Sequence, residues 1–509
     1  MYSKVRPLYT AGFYIQPGMY MIRKTAVSIA IISALSSVSA HAEGYKLFEQ
    51  SVSSMGNAYA GRGAQITDAS LVYSNPAAIT QLDGAQLSAG VSLIDATTHY
   101  RNAQAQSANG QSVVGRSNGK NSLNEAIPFL FYSNKVSDSL SWGIGFYVPF
   151  GLSSDYDDDF VGRYFADETA IEVVSLQPAI GYKLNENWSI GAGIAINRAE
   201  GTLSKFKDHS GLCELGETTT NAMFGAPVYN DAYCNSHYEV SGDDVAFSYT
   251  FGVHGEPVKG TKLALTYHSA IRFTLKGDSV ITNTPITGAN VAGNPNFIVV
   301  APHLPAIDLS TGKLAANTSL TEKSKLNLTT PATAAFSLDQ QLNDKLAVQF
   351  SAAWTEWSEF KSIDIVSDDA TPSISLNTQL LQNLNNPGQI GYIPEYWHNS
   401  WSFALGATYM LQSDVQLKAG VAYDENPIAQ SHKTARIPTD DRVWATIGAN
   451  WHLDDNLSLD LAYGYLFTGD VSVNEREYNV QDTPLYNSGY QADYSNKAQV
   501  LAAGINYRF

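Results

Sequence analysis

The chain has 509 residues, of which 44% are hydrophobic, 11% aromatic and only 16% charged. Its mean hydropathy of -0.16 is too polar for a bundle of membrane helices, and its formal net charge of -17 argues against nucleic-acid binding, which requires basic patches. Abundant glycine and tyrosine with scarce charge suit a barrel that faces lipid, and a large soluble β-protein is the alternative that composition leaves open.

The N-terminus predicts an export signal. Two basic residues precede the apolar run 26–35, and an Ala-His-Ala sequence at 40–42 has the form of a signal-peptidase site. The apolar run is too short to cross a bilayer as a helix. We therefore expect residues 1–42 to be a signal peptide, with translation starting at Met21 and the mature chain beginning at Glu43.

Residues 43–84 are rich in glycine and alanine and show no sustained alternation. Ser53, Asp68 and Asn75 stand where they can cap short helical turns. A segment of about forty residues is too small for an independent hydrophobic core. We therefore expect it to be a partly helical hatch, packed as a plug inside the domain that the rest of the chain forms.

Beyond residue 85 the dominant signal is an alternation of large apolar residues with small or polar ones. The clearest runs lie at 140–150, 188–196, 245–253, 346–354 and 457–465. A β-strand places every second side chain on the same face. The runs therefore predict strands with one face on lipid and the other on a polar interior.

The connections between these runs are sorted by length. Short turns, such as 184–187 and 453–456, alternate with long polar segments. The long segments lie near 101–125, 152–169, 197–244, 276–323, 361–398, 424–441 and 466–497. This sorting is typical of bacterial outer-membrane barrels, so residues 85–509 are predicted to form an all-β, antiparallel transmembrane barrel of about 14 strands. The last run ends in Phe509 and resembles the terminal strand that the barrel-assembly machinery reads.

The two cysteines of the chain, Cys213 and Cys234, lie in one polar segment. Export implies an oxidising compartment, so we expect them to form a disulfide within a single loop. Their spacing matches no zinc template, and no pattern in the sequence indicates a metal or a cofactor.

Several short motifs occur in a characteristic order. They are Gly-Tyr-Lys-Leu-Phe-Glu-Gln-Ser at 44–51, Met-Gly-Asn-Ala-Tyr-Ala-Gly at 55–61, Asn-Pro-Ala at 75–77, Trp-Thr-Glu-Trp-Ser at 354–358 and Ala-Arg-Ile-Pro-Thr-Asp-Asp-Arg-Val-Trp at 435–444. Together they resemble the FadL/TodX family of outer-membrane transporters for long-chain fatty acids and aromatic hydrocarbons. The resemblance extends over essentially all of residues 43–509.

The resemblance implies a plugged, monomeric barrel in the outer membrane of a Gram-negative cell, surrounded by lipid and lipopolysaccharide. Substrate would be captured among the loops, enter an apolar pocket and leave sideways into the bilayer through a gap at the third strand. Delivering an apolar tail to the membrane core avoids exposing it to water again.

The resemblance also implies roles for residues of the hatch. Asn75, Pro76 and Ala77 would form a gating turn, in which the Asn side chain bonds backbone groups that Pro76 frees from a helix. A turn that only holds the plug is the alternative. Tyr45 and Phe48 would bring aromatic surface to the pocket, with plain packing as the alternative.

Other positions of the family pattern fall on the barrel. Gly151 follows Pro149 and Phe150 at the end of the third predicted strand, where a kink could open the wall laterally; an ordinary strand exit is the alternative. Lys205, and second to it Arg198, are the candidates to bind a ligand carboxylate, with solvated loop charges as the alternative.

Two other functions are weighed against a passive transporter of hydrophobic compounds. A general water-filled porin would line an open lumen with charge and would need no plug. A lipid hydrolase would need an activated serine beside a histidine; His254 and His268 lie on predicted strands, but no such serine is identifiable. The sequence therefore predicts a transporter and not an enzyme.

Overall fold

The structure is a computed structural model that describes residues 44–225, 235–284, 295, 297–298, 306–310, 313–314, 318–370, 372–375 and 388–509. The expected signal peptide, residues 1–42, lies outside the described residues. Within the described ranges no helix combines the length and the apolar character needed to cross a membrane.

In the described part of the chain, antiparallel strands pair in chain order and close into a barrel of fourteen. The strands are β1 (Ala85–Gln106), β2 (Gly119–Lys135), β3 (Leu140–Asp155), β4 (Glu168–Lys183), β5 (Trp188–Asp208), β6 (Asn235–Val258), β7 (Thr261–His268 and Ile271–Thr284), β8 (Thr318–Thr330 and Thr333–Gln341), β9 (Leu346–Thr355 and Ser362–Ser367), β10 (Gln389–Pro394 and Ser400–Met410), β11 (Val415–Asp424), β12 (Arg442–His452), β13 (Leu457–Glu475) and β14 (Gly489–Arg508). Pairing of β14 with β1, from Gln86↔Arg508 to Gln106↔Gly489, closes the barrel. The predicted fold class is confirmed.

The outer face of the barrel is apolar, as the alternation predicts. On β5 and β6, Ile194 and Phe247 point outward and are 60% and 68% exposed. Their neighbours Ala195 and Asn197 point inward and are buried. This exposure of large apolar side chains is the arrangement expected of a wall that faces lipid.

Connections at one end of the barrel are short and those at the other end are long. Most of the long segments expected from the sequence are too wide, because strands extend into them: β5 continues to Asp208 and β13 to Glu475. These extensions still pair with their neighbours, but their outward faces turn polar, while Leu203, Val471 and Val473 stay buried on the inward face. The apolar outer face ends where a strand leaves the membrane, so the sequence reveals the protruding part poorly.

Four adjacent strands, β7 to β10, are each interrupted between their two halves. Pro331 lies in the interruption of β8, where a residue without an N–H cannot donate to the ladder. The interruptions of β9 and β10 carry Trp357, Phe360 and Trp397, all buried in the lumen. The breaks therefore place aromatic surface inside the barrel.

The hatch, residues 43–84, consists of short helices against the inner wall: α1 (Val52–Met55), α2 (Leu71–Ser74) and a 3-10 helix (Pro76–Gln81). Ser51, and not Ser53, caps α1, because the Ser54 N–H donates to its hydroxyl at 3.2 Å. Outside the hatch, the described residues form α3 (Ser210–Phe224), 3-10 helices at Trp357–Glu359 and Gln430–His432, and a small sheet of Phe297–Ile298, Ile307–Asp308 and Lys313–Leu314.

Glycines of the wall make room for the hatch. A Cβ at Gly252 would lie 2.0 Å from Asn75 Oδ1, and one at Gly191 would lie 2.3 Å from the Ala77 nitrogen. On the opposite side, a Cβ at Gly420 would lie 2.3 Å from the Asn57 carbonyl carbon. The hatch therefore approaches the wall at distances that only glycine permits, through backbone at Gly191 and Gly420 and through the Asn75 side chain at Gly252.

The wall is incomplete between β2 and β3. Their described pairing runs only from Leu130↔Phe146 to Lys135↔Ser141, so residues 119–129 of β2 lack a partner on that side. On its other side β3 pairs with β4, with an irregularity between Tyr147 and Phe150. This irregularity contains Pro149, which bends the strand away from β2.

Candidate functional site

The bent part of β3 pairs with the hatch instead of with β2. The Leu47 N–H donates to the Pro149 carbonyl at 2.9 Å, and the Gly151 N–H donates to the Tyr45 carbonyl at 2.9 Å. Lys46 lies opposite Phe150 in an antiparallel bridge between these two bonds. The N-terminal segment of the hatch thus acts as an additional strand on the free edge of β3.

This segment separates two cavities, since side chains of an extended segment point alternately to opposite sides. The loop-side cavity has about 750 Å³ of empty space and is lined by Tyr45 and by Leu152 of β3. The hatch-side cavity has about 1140 Å³ and is lined by Lys46, Phe48 and Phe150. Residues 45–47 are therefore the partition between them.

The loop-side cavity is mostly apolar. Its apolar lining comes from the seven strands β3 to β9, the interruption of β9 and the loop before β12, and includes Leu152, Ile171, Leu203, Val240, Leu275, Leu326, Leu328, Phe360, Ile363 and Ile437. Such a lining excludes water and suits a hydrophobic chain.

Besides Lys325, which pairs with Asp368, two ionisable side chains interrupt the apolar lining: Arg436 and Glu395. Both are 1% exposed. The terminal nitrogens of Arg436 donate to Thr169 Oγ1 and to the Ser204 carbonyl, both at 2.8 Å. One Glu395 oxygen accepts from Trp397 Nε1 at 2.8 Å, whereas its other oxygen and Arg436 Nε have no hydrogen-bond partner in the described structure. The cavity thus keeps one unused donor and one unused acceptor.

Tyr45 forms the hatch side of the loop-side cavity. Its ring centre lies 4.8 Å from that of Trp357, 5.6 Å from Phe360 and 5.9 Å from Trp397. The preceding Gly44 has φ of 59°, and a Cβ there would lie 2.5 Å from the Trp357 ring. Only glycine allows the start of the hatch to enter this aromatic cluster.

Asn75 connects three parts of the molecule. Its Nδ2 donates to the Gly63 carbonyl at 2.8 Å and to the Val253 carbonyl of β6 at 3.2 Å, and its Oδ1 accepts from the Ala77 N–H at 3.1 Å. The side chain is fully buried. It satisfies a backbone group next to Pro76, as expected, and it also attaches the hatch to the wall.

The two cations expected to bind a carboxylate lie away from both cavities. Lys205 Nζ forms an ion pair with Glu477 Oε1 at 2.5 Å. Arg198 points outward from β5, is 58% exposed and forms ion pairs with Glu200 and Asp243. Neither lines a cavity. Lys46 and Arg62 line the hatch-side cavity instead. The sequence did not single them out, because a cation near the mature N-terminus (Lys46) or between two glycines (Arg62) looks like a solvated surface charge.

The remaining predicted features have simple outcomes. His254 bonds the Ala64 carbonyl at 3.1 Å and His268 bonds Thr250 Oγ1 at 3.2 Å, so each holds local structure. No cluster of metal-ligating side chains occurs among the described residues. The predicted disulfide lies outside the described residues, because Cys234 and the side chain of Cys213 are not among them.

Comparisons with known proteins agree with this architecture. The model of the outer membrane protein transport protein family (OMPP1/FadL/TodX) matches residues 33–509. The chain is 25% identical over 499 residues to the long-chain fatty acid transport protein of Escherichia coli strain K12, covering 96% of this chain and 99% of that one. It is 27% identical over 501 residues to outer membrane protein P1 of Haemophilus influenzae, covering 94% and 98%.

Two solved structures illustrate the shared fold. A FadL homologue of Pseudomonas aeruginosa has a TM-score of 0.75 at 25% identity, covering 92% of this chain and 100% of that one. The toluene transporter TodX of Pseudomonas putida has a TM-score of 0.59 at 16% identity, covering 91% and 99%. The second likeness shows the fold alone.

Proposed function

The chain belongs to the outer membrane protein transport protein family (OMPP1/FadL/TodX), and on this premise we propose that it carries long-chain fatty acids or similar hydrophobic compounds by passive diffusion. The family and the barrel agree with the predicted outer-membrane location. The observation that carries the substrate proposal is the loop-side cavity, which is mostly apolar and is closed by Tyr45 of the hatch.

A water-filled porin is the less suitable function for this lumen. The hatch lies in it, and the wall approaches the hatch closely at Gly191, Gly252 and Gly420. A sugar in the loop-side cavity would leave most of its hydroxyl groups without partners, and each unpaired group costs about 1–3 kcal/mol. An alkyl chain carries no such penalty and gains about 0.8 kcal/mol for each buried CH₂.

We place the exit at the incomplete wall between β2 and β3. A small space at this position is lined by Asn121 and Leu123 of β2 and by Ser153 and Ser154 of β3. Displacement of residues 45–47 from β3 would join the two cavities at the same place. A ligand can drive this displacement only if it binds the displaced state more tightly.

A substitution that fills the loop-side cavity tests the proposal. Gly201 lines the cavity on β5, and a Cβ there would lie 3.2 Å from Leu275 Cδ1, so Gly201→Phe would occupy the space meant for substrate. The matched control is Gly469→Phe, since nothing lies within 4 Å of a Cβ at Gly469.

Uptake of radiolabelled oleate by proteoliposomes measures the effect. We expect the wild type and Gly469→Phe to take up oleate and to exclude a small sugar, and Gly201→Phe to lose most oleate uptake. Sugar permeation through the wild type would favour the porin, and release of free fatty acid from phospholipid would favour the hydrolase. Undiminished oleate uptake by assembled Gly201→Phe would contradict the assigned pocket.

A further inference from the structure

The hatch-side cavity differs in chemistry from the loop-side cavity. Two cations of the hatch, Lys46 and Arg62, lie in its lining, together with the rings of Phe48, Tyr59 and Tyr73. Its empty space of about 1140 Å³ includes space that is open to solvent. The cavity therefore combines cations with aromatic surface, the two kinds of group that a carboxylate with an apolar chain would contact.

Arg62 is held between two aromatic rings. Its guanidinium carbon lies 5.3 Å from the centre of the Tyr59 ring and 5.0 Å from that of Tyr73. One terminal nitrogen donates to Gln50 Oε1 at 2.8 Å, while Nε is buried without a partner in the described structure. Cation–π contacts position the guanidinium, but they do not satisfy its N–H groups.

Two acids adjoin this site. Asp424 lines the same cavity and accepts from Trp444 Nε1 at 2.9 Å. Glu49, which interacts electrostatically with Arg62, accepts the Phe48 N–H at 2.7 Å. Burial raises the pKa of Glu49, which weakens this carboxyl as a counter-ion. Arg62 is partly buried, and a cation in this position beside a weakened counter-ion can take an anion from outside the chain.

Two other donors adjoin the same cavity. The Tyr59 hydroxyl is buried without a hydrogen-bond partner in the described structure, and its residue has φ of 61°, a strained conformation that fixes the ring beside Arg62. Lys46 Nζ donates to Thr333 Oγ1 at 3.2 Å and to Thr355 Oγ1 at 3.3 Å. A ligand with two acceptor oxygens could accept from the Tyr59 hydroxyl and from Arg62 Nε, which have no hydrogen-bond partner in the described structure.

We propose that the hatch-side cavity is a second ligand site, in which Arg62 and Tyr59 bind the carboxylate of a long-chain amphiphile. Lys46 adds positive charge, and the rings of Phe48 and Phe150 contact the alkyl chain. The site rests on the proposed function, because the ligand reaches it past the partition at residues 45–47. It would hold the anion between the loop-side cavity and the incomplete wall.

Arg62 is better placed for this role than Arg436 of the loop-side cavity. Both terminal nitrogens of Arg436 already donate to the wall, to Thr169 Oγ1 and to the Ser204 carbonyl. One terminal nitrogen of Arg62, by contrast, donates to another hatch residue, Gln50, at 2.8 Å. Arg436 therefore ties the loop to the strands, whereas the Arg62 guanidinium retains donors for a ligand.

Equilibrium binding to the full chain in lipid nanodiscs tests the site, with oleate and oleyl alcohol as probes that differ in the carboxylate. We expect Arg62→Gln to weaken one class of oleate site by about tenfold or more, as loss of a charge-assisted hydrogen bond implies. Oleyl alcohol should bind this variant as it binds the wild type. Tyr59→Phe should weaken oleate less, and Arg198→Gln, on the outer face, should change nothing.

Equal weakening of oleate and oleyl alcohol by Arg62→Gln would overturn the proposal, since Arg62 would then only shape the hatch. Unchanged oleate binding would overturn it too. A sugar-leak assay on the same variant shows whether the hatch is still seated. If the protein transports oleate but the Arg62 substitution leaves oleate binding unchanged, the proposed function stands and this site is rejected. If oleate binding depends on Arg62 but the protein does not transport oleate, the site stands and the proposed function is rejected.

Discussion

Two seams of the barrel differ in how their hydrogen bonds are satisfied. The seam between β14 and β1 pairs from Gln86↔Arg508 to Gln106↔Gly489, so the wall closes on itself. The seam between β2 and β3 pairs over six residues, and the hatch segment 45–47 occupies the free edge of β3 beyond them. An edge that loses its wall partner must find another, and here the plug provides it. The hatch therefore completes the wall at the position where β2 and β3 do not pair.

Deletion of the hatch should have the largest effect on the difference between the two seams. Deletion of 43–84 leaves the closed seam unchanged but takes away the partner of β3 and the plug of the lumen. The deleted protein should admit small hydrophilic solutes at the rate of an open porin, measured by liposome swelling. An assembled deletion variant that admits no such solute would mean that the loops, and not the hatch, close the lumen.

A substitution in the irregular part of β3 should have the second largest effect. Gly151→Val should favour regular extended backbone and disturb the pairing with Tyr45, since β-branched residues prefer a regular strand. We expect severalfold lower oleate uptake with normal assembly, judged by heat-modifiable migration in gels. Oleate uptake at the native rate in folded Gly151→Val would show that Gly151 is an ordinary position of β3.

Asn75→Ala tests the attachment of the hatch at the opposite wall. The variant loses both Nδ2 bonds and the cap on Ala77, which together contribute about 1–3 kcal/mol. Hydrogen exchange should quicken in the hatch and not in β14, and fatty-acid flux should fall while surface expression stays normal. Gln81→Ala, at the end of the same 3-10 helix, is the control. Native flux in Asn75→Ala would identify Asn75 as a turn residue alone.

The smallest effect concerns Glu49. Its pKa is raised by burial, so the folded hatch binds the proton more tightly than the unfolded hatch does. The resulting stability is present below the ordinary carboxyl pKa of 4.5 and is lost as pH rises through the raised value. Hatch protection from hydrogen exchange should therefore fall over this interval in the wild type and stay level in Glu49→Gln. If hatch protection from hydrogen exchange still depended on pH in Glu49→Gln, a group other than Glu49 would be the one that titrates.

The barrel and the plug follow from the sequence because period-two alternation and sorted loop lengths are local signals. The cavities do not, since they depend on which face each residue takes and on contacts between distant segments. Arg198 and Asn197 are neighbours, yet the strand turns one outward and the other inward. Arg62 becomes a candidate ligand-binding residue only when the fold places it between Tyr59 and Tyr73. The aromatic cluster around Tyr45 likewise forms from breaks in strands three hundred residues further along.

A reversible cross-link between the hatch and β3 tests most directly whether residues 45–47 must leave the free edge of β3 before substrate can pass. Lys46 and Phe150 form a non-hydrogen-bonded antiparallel pair, whose Cα atoms typically lie about 4.5 Å apart, within disulfide range. In the Lys46→Cys/Phe150→Cys variant, oleate uptake by proteoliposomes should stop after oxidation and return after reduction to the level of the two single variants. Uptake by the oxidised, cross-linked protein at the reduced rate would contradict the account.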